Sequence, residues 1–224
     1  MFVLFAVFLP KSRDTKENVS ESITKIVKRL WSNKRYRYGV VTQFFYVGVQ
    51  IMCWTFIIQY GTSVFMKEGM SELDAEVTSQ RYNIIAMIAF CVSRFICTWL
   101  MKYIKASKLL TLFSCLAICL MLGVIFVGGR LGLYSLVAVS ACMSLMFPTI
   151  YGIALNDVGD DAKLGAAGLI MAILGGSLLP PLQAVIIDGN GLLGMSSINI
   201  SFIIPLLSFV VIMIYSLNIS RNRI

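Results

Sequence analysis

The sequence predicts an all-α integral membrane protein, a six-transmembrane-helix bundle, on three observations. Six apolar stretches are each long enough to cross a bilayer, the loops between them alternate in charge, and no Asp or Glu falls in the interior of a stretch. Hydrophobic residues make up 58% of the chain and the mean hydropathy is +0.83, a composition hard to keep soluble.

A bilayer core of ~30 Å needs ~20 apolar residues in a helix that rises ~1.5 Å per residue. The stretches run from Tyr38 to Met66, Tyr82 to Tyr103, Leu109 to Val127, Leu131 to Leu155, Ala166 to Ile187 and Ile198 to Leu217. Together, residues 38–217 form the expected transmembrane domain, with 10–37 a preceding loop and 218–224 a tail. Lys and Arg set the orientation, because short loops retain them on the cytoplasmic side. Nine of the nineteen precede the first span, and six more (Lys102, Lys105, Lys108, Lys163, Arg221, Arg223) follow on the same face of the bilayer. Only Lys67, Arg81 and Arg130 fall on the other. Both ends of the bundle are therefore expected in the cytoplasm. The net charge of +8 reads as topology and contact with anionic membrane lipid, not as nucleic-acid binding.

Met1 to Leu9 is apolar but under half a span, and Pro10 and a charged run follow it. It lacks the basic flank and small-residue cleavage site of a signal peptide, and reads as the end of a preceding transmembrane helix. From Lys16 to Trp31, apolar Val19, Ile23, Ile26, Val27 and Leu30 recur at helical spacing between charges, the pattern of an interfacial helix.

The six cysteines all lie inside spans, where they pack as small apolar residues, and no CxxC occurs. With no His, His-based catalysis, most zinc hydrolysis and haem ligation have no ligands. No catalytic residue, metal site or cofactor is expected.

Polar groups inside the membrane remain. Arg94, about twelve residues into the second span, costs at least ~2.5 kcal/mol if buried unpaired, so it is expected on a wet cavity or a carbonyl-lined interface, with a structural Arg snorkelling towards the inner loop as the alternative. On the first span Gln43, Tyr46, Gln50 and Trp54 share a helical face. Amides hydrogen-bond hydroxyls without charge and aromatic planes cover C–H faces, so this face suits a sugar, with helix-to-helix bonding as its alternative. Pro148 frees the carbonyl of Ser144 and should kink the fourth span. Pro180 and Pro181 should do the same in the fifth after Gly175 and Gly176, glycines that also let helices approach closely.

Three segments carry a resemblance: QFFYVGVQIMCWTFIIQYG from Gln43 to Gly61, FCVSRFICTWLMKYI from Phe90 to Ile104, and MFPTIYGIALNDVG from Met146 to Gly159. With LGGSLLPPLQAVIID they resemble, in order and spacing, the C-terminal half of the L-fucose:proton symporter family, within the major facilitator superfamily. The resemblance implies helices seven to twelve of a twelve-helix transporter in a bacterial inner membrane, partnered by a six-helix N-terminal half and moving a sugar with protons by alternating access. It implies cavity roles for Phe90 and Arg94, one turn apart, and proton-carrying carboxylates in the other half. Phe147 stands where the family has Tyr, which allows a different sugar or pose. The segment Cys97 to Lys108 looks like a degenerate copy of the superfamily's loop motif, with Lys102, Lys105 and Lys108 on the gate. Gln50, Phe90, Arg94, Phe147, Tyr46 and Trp54 are the expected substrate contacts. Lys102, Lys105, Lys108, Pro148, Gly175 and Gly176 are the expected gating set. L-Fucose, another hexose such as glucose or galactose, and a non-transporting membrane scaffold or channel subunit all stay open.

Overall fold

The computed structural model describes residues 16–156, 158–189 and 196–221, with side chains from Ile23 onward. The expected helix end over Met1 to Leu9 lies outside them. Six membrane-length helical stretches are present: Lys34–Lys67, Glu72–Leu100, Ala106–Val127, Gly129–Leu155, Gly159–Asp188 and Ser197–Ser220. Helix α1, Lys16–Ser32, precedes them.

The first span is one helix, α2, Lys34–Lys67, started by Asn33, whose side chain accepts from the amides of Arg35 and Tyr36. It runs through the middle of the bundle against all the other spans except the third. Around it lies a core of Tyr46, Tyr60, Phe65, Phe202 and Phe209, all essentially buried. The second span, α3, Glu72–Leu100, begins ten residues before the expected Tyr82. Ser71 caps it through the amide of Asp74, and Glu72 and Asp74 sit in its first turn, where the helix dipole favours them. It also ends three residues before the expected Tyr103, which leaves Arg94 six residues, ~9 Å, from its end.

The third span is α4, Ala106–Leu122, extended by a π-turn over Gly123–Val127. The fourth breaks as Pro148 predicts, into α5, Gly129–Met143, and α6, Met146–Leu155, with Ser144 and Leu145 in a turn. The fifth span keeps both of its prolines inside one helix. Helix α8, Gly175–Asp188, runs through Pro180 and Pro181, and the irregular 3₁₀ turn is Ala172–Leu174, between α7, Ala162–Met171, and Gly175. The sixth divides into α9, Ser197–Ser201, and α10, Ile203–Ser220, because Pro205 has no N–H for the carbonyl of Ser201.

At the α1 end, the guanidinium of Arg29 makes a two-pronged ion pair with buried Asp161, just before α7. Tyr36 Oη donates to the carbonyl of Gly165 at 2.9 Å. At the far end Arg130 grips Glu68 through Nε at 2.8 Å and Nη2 at 2.7 Å. That hydrogen bond, with the neighbouring charge, holds the Glu68 carboxyl below its ordinary value of 4.5. A depressed folded pKa adds stability above the unfolded value and loses it as pH falls through the folded one. The thermal midpoint of Glu68→Gln is therefore expected slightly below wild type at pH 7, and the gap is expected to close once pH drops below ordinary glutamate values. A gap that persisted in acid would separate it from this ion pair.

Candidate functional site

Among the expected substrate contacts, the aromatic rings on α2, α3 and α6 meet in two groups. Trp54 meets Phe90 edge-on, with ring centroids 5.1 Å apart. Tyr46 meets Phe147 at 6.0 Å, and Phe147 stacks on Tyr151 at 6.4 Å with planes 10° apart. Edge-to-face and offset contacts of this kind are favourable and fix ring orientation.

The shared α2 face divides by depth. Gln43 is fully buried and, among the described residues, neither of its side-chain polar atoms has a hydrogen-bond partner. Tyr46 is also fully buried, and its hydroxyl donates to the carbonyl of Met143 at 2.9 Å. That hydroxyl ties α2 to the end of α5, so in this arrangement Tyr46 is a packing residue rather than an open ligand contact. Tyr46→Phe is expected to cost ~0.5–1.5 kcal/mol in a denaturation midpoint and to leave sugar selectivity unchanged, whereas a shift in the competition profile would restore a ligand role. Gln50 and Trp54, one and two turns on, are only half-buried. The Trp54 indole Nε1 is shielded yet has no partner among the described residues, a donor whose satisfaction has to come from elsewhere.

Arg94 is exposed and makes no ion pair among the described residues. Phe90 is half-buried one turn before it. One further residue joins this stripe. Asn83 lies seven and eleven residues before Phe90 and Arg94, hence on the same side of α3, and its Oδ1 is shielded with no partner among the described residues. Its spacing was the signal that could have found it. Tyr151, four residues after Phe147 on α6, could have been found by the same spacing.

The gating set falls in two places. Lys105, Lys108 and Pro148 line a single cavity of about 560 Å³, while Lys102 sits in the turn after α3, away from that lining. Gly175 meets α2 so closely that a Cβ there would collide with the carbonyl oxygen of Phe44. Gly176 is looser, since its Cβ would lie 3.1 Å from side-chain carbons of Val47 and Ile51. Among the described residues no group of three or more His, Cys, Asp or Glu could hold a metal ion.

Burial is uneven among the spans. In its most apolar stretch α3 is 11% buried and the fifth span 22%, against 56% for the first and fourth. Phe95, Met171 and Val185 are each more than 70% exposed. Two helices this open leave room for a second body as well as lipid.

Residues 1–180 match the family model of the Major Facilitator Superfamily. The chain belongs to that superfamily. The L-fucose-proton symporter of Haemophilus influenzae is 51% identical over 220 residues, covering 96% of this chain and 50% of the relative. That of Escherichia coli K12 is 32% identical over 195 residues, covering 87% of this chain and 42% of the relative. A glucose/galactose transporter of Brucella abortus is 28% identical over 220 residues, covering 98% and 50% respectively. A crystal structure of the superfamily transporter FucP in the outward conformation superposes with a TM-score of 0.79 at 29% identity, over 96% of this chain and 50% of FucP. The chain thus spans about half the length of these relatives and corresponds to the C-terminal half of a FucP-like transporter.

Proposed function

We propose that this chain supplies half of the substrate path of an L-fucose:proton symporter that works by alternating access in a bacterial inner membrane. The observation that carries the reading is the 51% identity to the Haemophilus influenzae L-fucose-proton symporter across 96% of the chain. The chemistry of the open face supports it. Gln50 offers both a donor and acceptors to sugar hydroxyls, Trp54 and Phe90 offer a packed aromatic pair to the C–H faces of the ring, and Arg94 adds a charged donor. The N-terminal half covers this face and closes the cavity, and the low burial of α3 and the fifth span supports that partnership.

Coupling falls to the partner half. In the described residues of this chain every Asp and Glu lies outside the spans or within about one turn of an end, so no carboxylate is available at mid-membrane depth to carry a proton. The excess of Lys and Arg supports a cytoplasmic position for α1, the turn after α3 and both ends of the bundle. Lys102, Lys105 and Lys108 then border the cytoplasmic gate. The breaks at Ser144–Leu145 and Ala172–Leu174 give the fourth and fifth spans places to flex.

A second reading, another hexose on the same scaffold, is favoured by one residue. Phe147 offers a ring but no hydroxyl at the position where the resemblance leads one to expect Tyr. Competition separates the two. In cells making the complete transporter, uptake of labelled L-fucose is expected to fall with unlabelled L-fucose and to be insensitive to glucose and galactose. Competition by glucose or galactose at similar concentrations would replace L-fucose with a hexose of the second kind.

A further inference from the structure

We propose that the cleft between the start of α2 and the end of α10 binds an anionic phospholipid, drawn from the cytoplasmic leaflet in the topology proposed above. The cleft is a cavity of about 450 Å³ that shares no lining residue with the expected substrate contacts or the gating set. Its two walls are graded in the same sense. On α2, Lys34 stands at the mouth, Tyr38 follows one turn in, and Val41 lies seven residues, ~10 Å, deeper. On α10, in the last span, which crosses the bilayer in the opposite sense, Asn218 stands at the mouth, and Ile214 and then Val211 follow inward over the same distance. Polar groups therefore gather at the end nearest the cytoplasm, and aliphatic side chains line the part that lies within the membrane.

The charge at the mouth is unmatched. Lys34 is exposed and makes no ion pair among the described residues. Arg37, three residues on, lays its guanidinium over the Tyr38 ring at 5.4 Å and has no carboxylate partner among them either. Among the described residues no Asp or Glu lines the cavity. Tyr38 is 44% exposed and Asn218 is half-buried, and neither side chain makes a hydrogen bond among the described residues, so a phenol and an amide stay open beside two cations. Deeper in, no polar group is on offer. Thr42 spends its hydroxyl on the carbonyl of Tyr38 at 2.7 Å, and the hydroxyl of Tyr215 is shielded. Cations and donors above an aliphatic floor match the phosphate and the first methylenes of a lipid, as basic clefts between cytoplasmic helix ends do. Soluble phosphate would use the mouth and leave the floor of Val41, Val211 and Ile214 unfilled. A lipid seated there ties the cytoplasmic end of α2, the helix that carries Gln50 and Trp54, to α10.

The test uses the complete transporter containing this chain, without sugar, so that its outcome does not depend on the substrate. Delipidated protein in detergent is titrated with phosphatidylglycerol and with phosphatidylcholine, and bound lipid is counted by native mass spectrometry. Phosphatidylglycerol is expected to bind at least tenfold more tightly. Lys34→Gln with Arg37→Gln should remove that preference. Ile214→Trp, which fills the floor from a position 51% exposed and alters no charge, should weaken phosphatidylglycerol several-fold. Lys163→Gln, an exposed charge on α7, should leave binding unchanged. Because Ile214→Trp keeps every cation, it tests the site even if the double variant folds poorly. The proposal is overturned if phosphatidylglycerol has no preference, if Ile214→Trp binds it like wild type, or if Lys163→Gln weakens it as much as the double variant, the mark of diffuse attraction to a positive surface. Saturable binding of inorganic phosphate that is lost in the double variant and kept in Ile214→Trp would overturn it in favour of a soluble anion.

Discussion

Arg94→Ala is expected to abolish uptake by the complete transporter, at least a hundredfold, with an unchanged amount of protein in the membrane. Arg94 is exposed on α3 of this half and makes no ion pair among the described residues, so removing it orphans no internal partner and should not unfold the bundle. A charge kept ~9 Å inside a membrane helix costs at least ~2.5 kcal/mol unless it meets water or a partner. The proposed sugar path between the two halves would provide both. Gln50→Ala should behave alike, because its half-buried amide makes no side-chain hydrogen bond among the described residues and its loss should be felt by a ligand or by the facing half. The readouts are initial uptake rate and quantitative immunoblotting of membranes. Near-normal uptake by both variants would return Arg94 and Gln50 to lipid-facing and packing roles. Loss of the protein along with uptake would make them structural.

Gly175→Ala is expected to remove most of the folded protein from the membrane, which is the opposite pattern. The added methyl would collide with the Phe44 carbonyl oxygen, a backbone atom that cannot rotate aside, so α8 must move off α2. Overpacking of this sort costs ~1–3 kcal/mol and sometimes more, a large share of a marginal stability. Gly176→Ala should be milder, because its new contacts are with the ends of Val47 and Ile51, which can give by a few tenths of an ångström. A detergent thermal-shift comparison reads the difference directly. Equal midpoints for the two variants would mean that the α2–α8 approach is not what Gly175 is for.

The six spans were legible from hydropathy because a bilayer demands ~20 apolar residues whatever the sequence around them. Their ends were less so. Helix α3 starts ten residues early because Ser71, Glu72 and Asp74 are good helix-starting residues, a signal written in polar side chains that a hydropathy reading assigns to a loop. The break at Pro148 was readable from the missing N–H. By the same rule Pro205 marks the division between α9 and α10. The π-turn at Gly123–Val127 ends at Gly128, whose φ is +66°, and the 3₁₀ turn at Ala172–Leu174 runs into Gly175, so both carry glycine marks that a hydropathy reading passes over.

The candidate site was legible as residue types and faces, not as depths. Helical spacing aligned Tyr46 with Gln50 and Trp54, but only the fold decides that Tyr46 turns inward to Met143 while Trp54 reaches Phe90. Periodicity within one helix cannot say which neighbour a face will meet. It also could not tell that Pro148 and Lys105, forty-three residues apart, border one cavity.

The most direct test of the account is accumulation of labelled L-fucose in membrane vesicles that contain this chain together with its N-terminal half, under an imposed inward proton gradient. The account predicts uptake above equilibrium that collapses on addition of an uncoupler and is absent when either half is omitted. Uptake that ignored both the gradient and the uncoupler, or no L-fucose uptake with both halves present and folded, would contradict it.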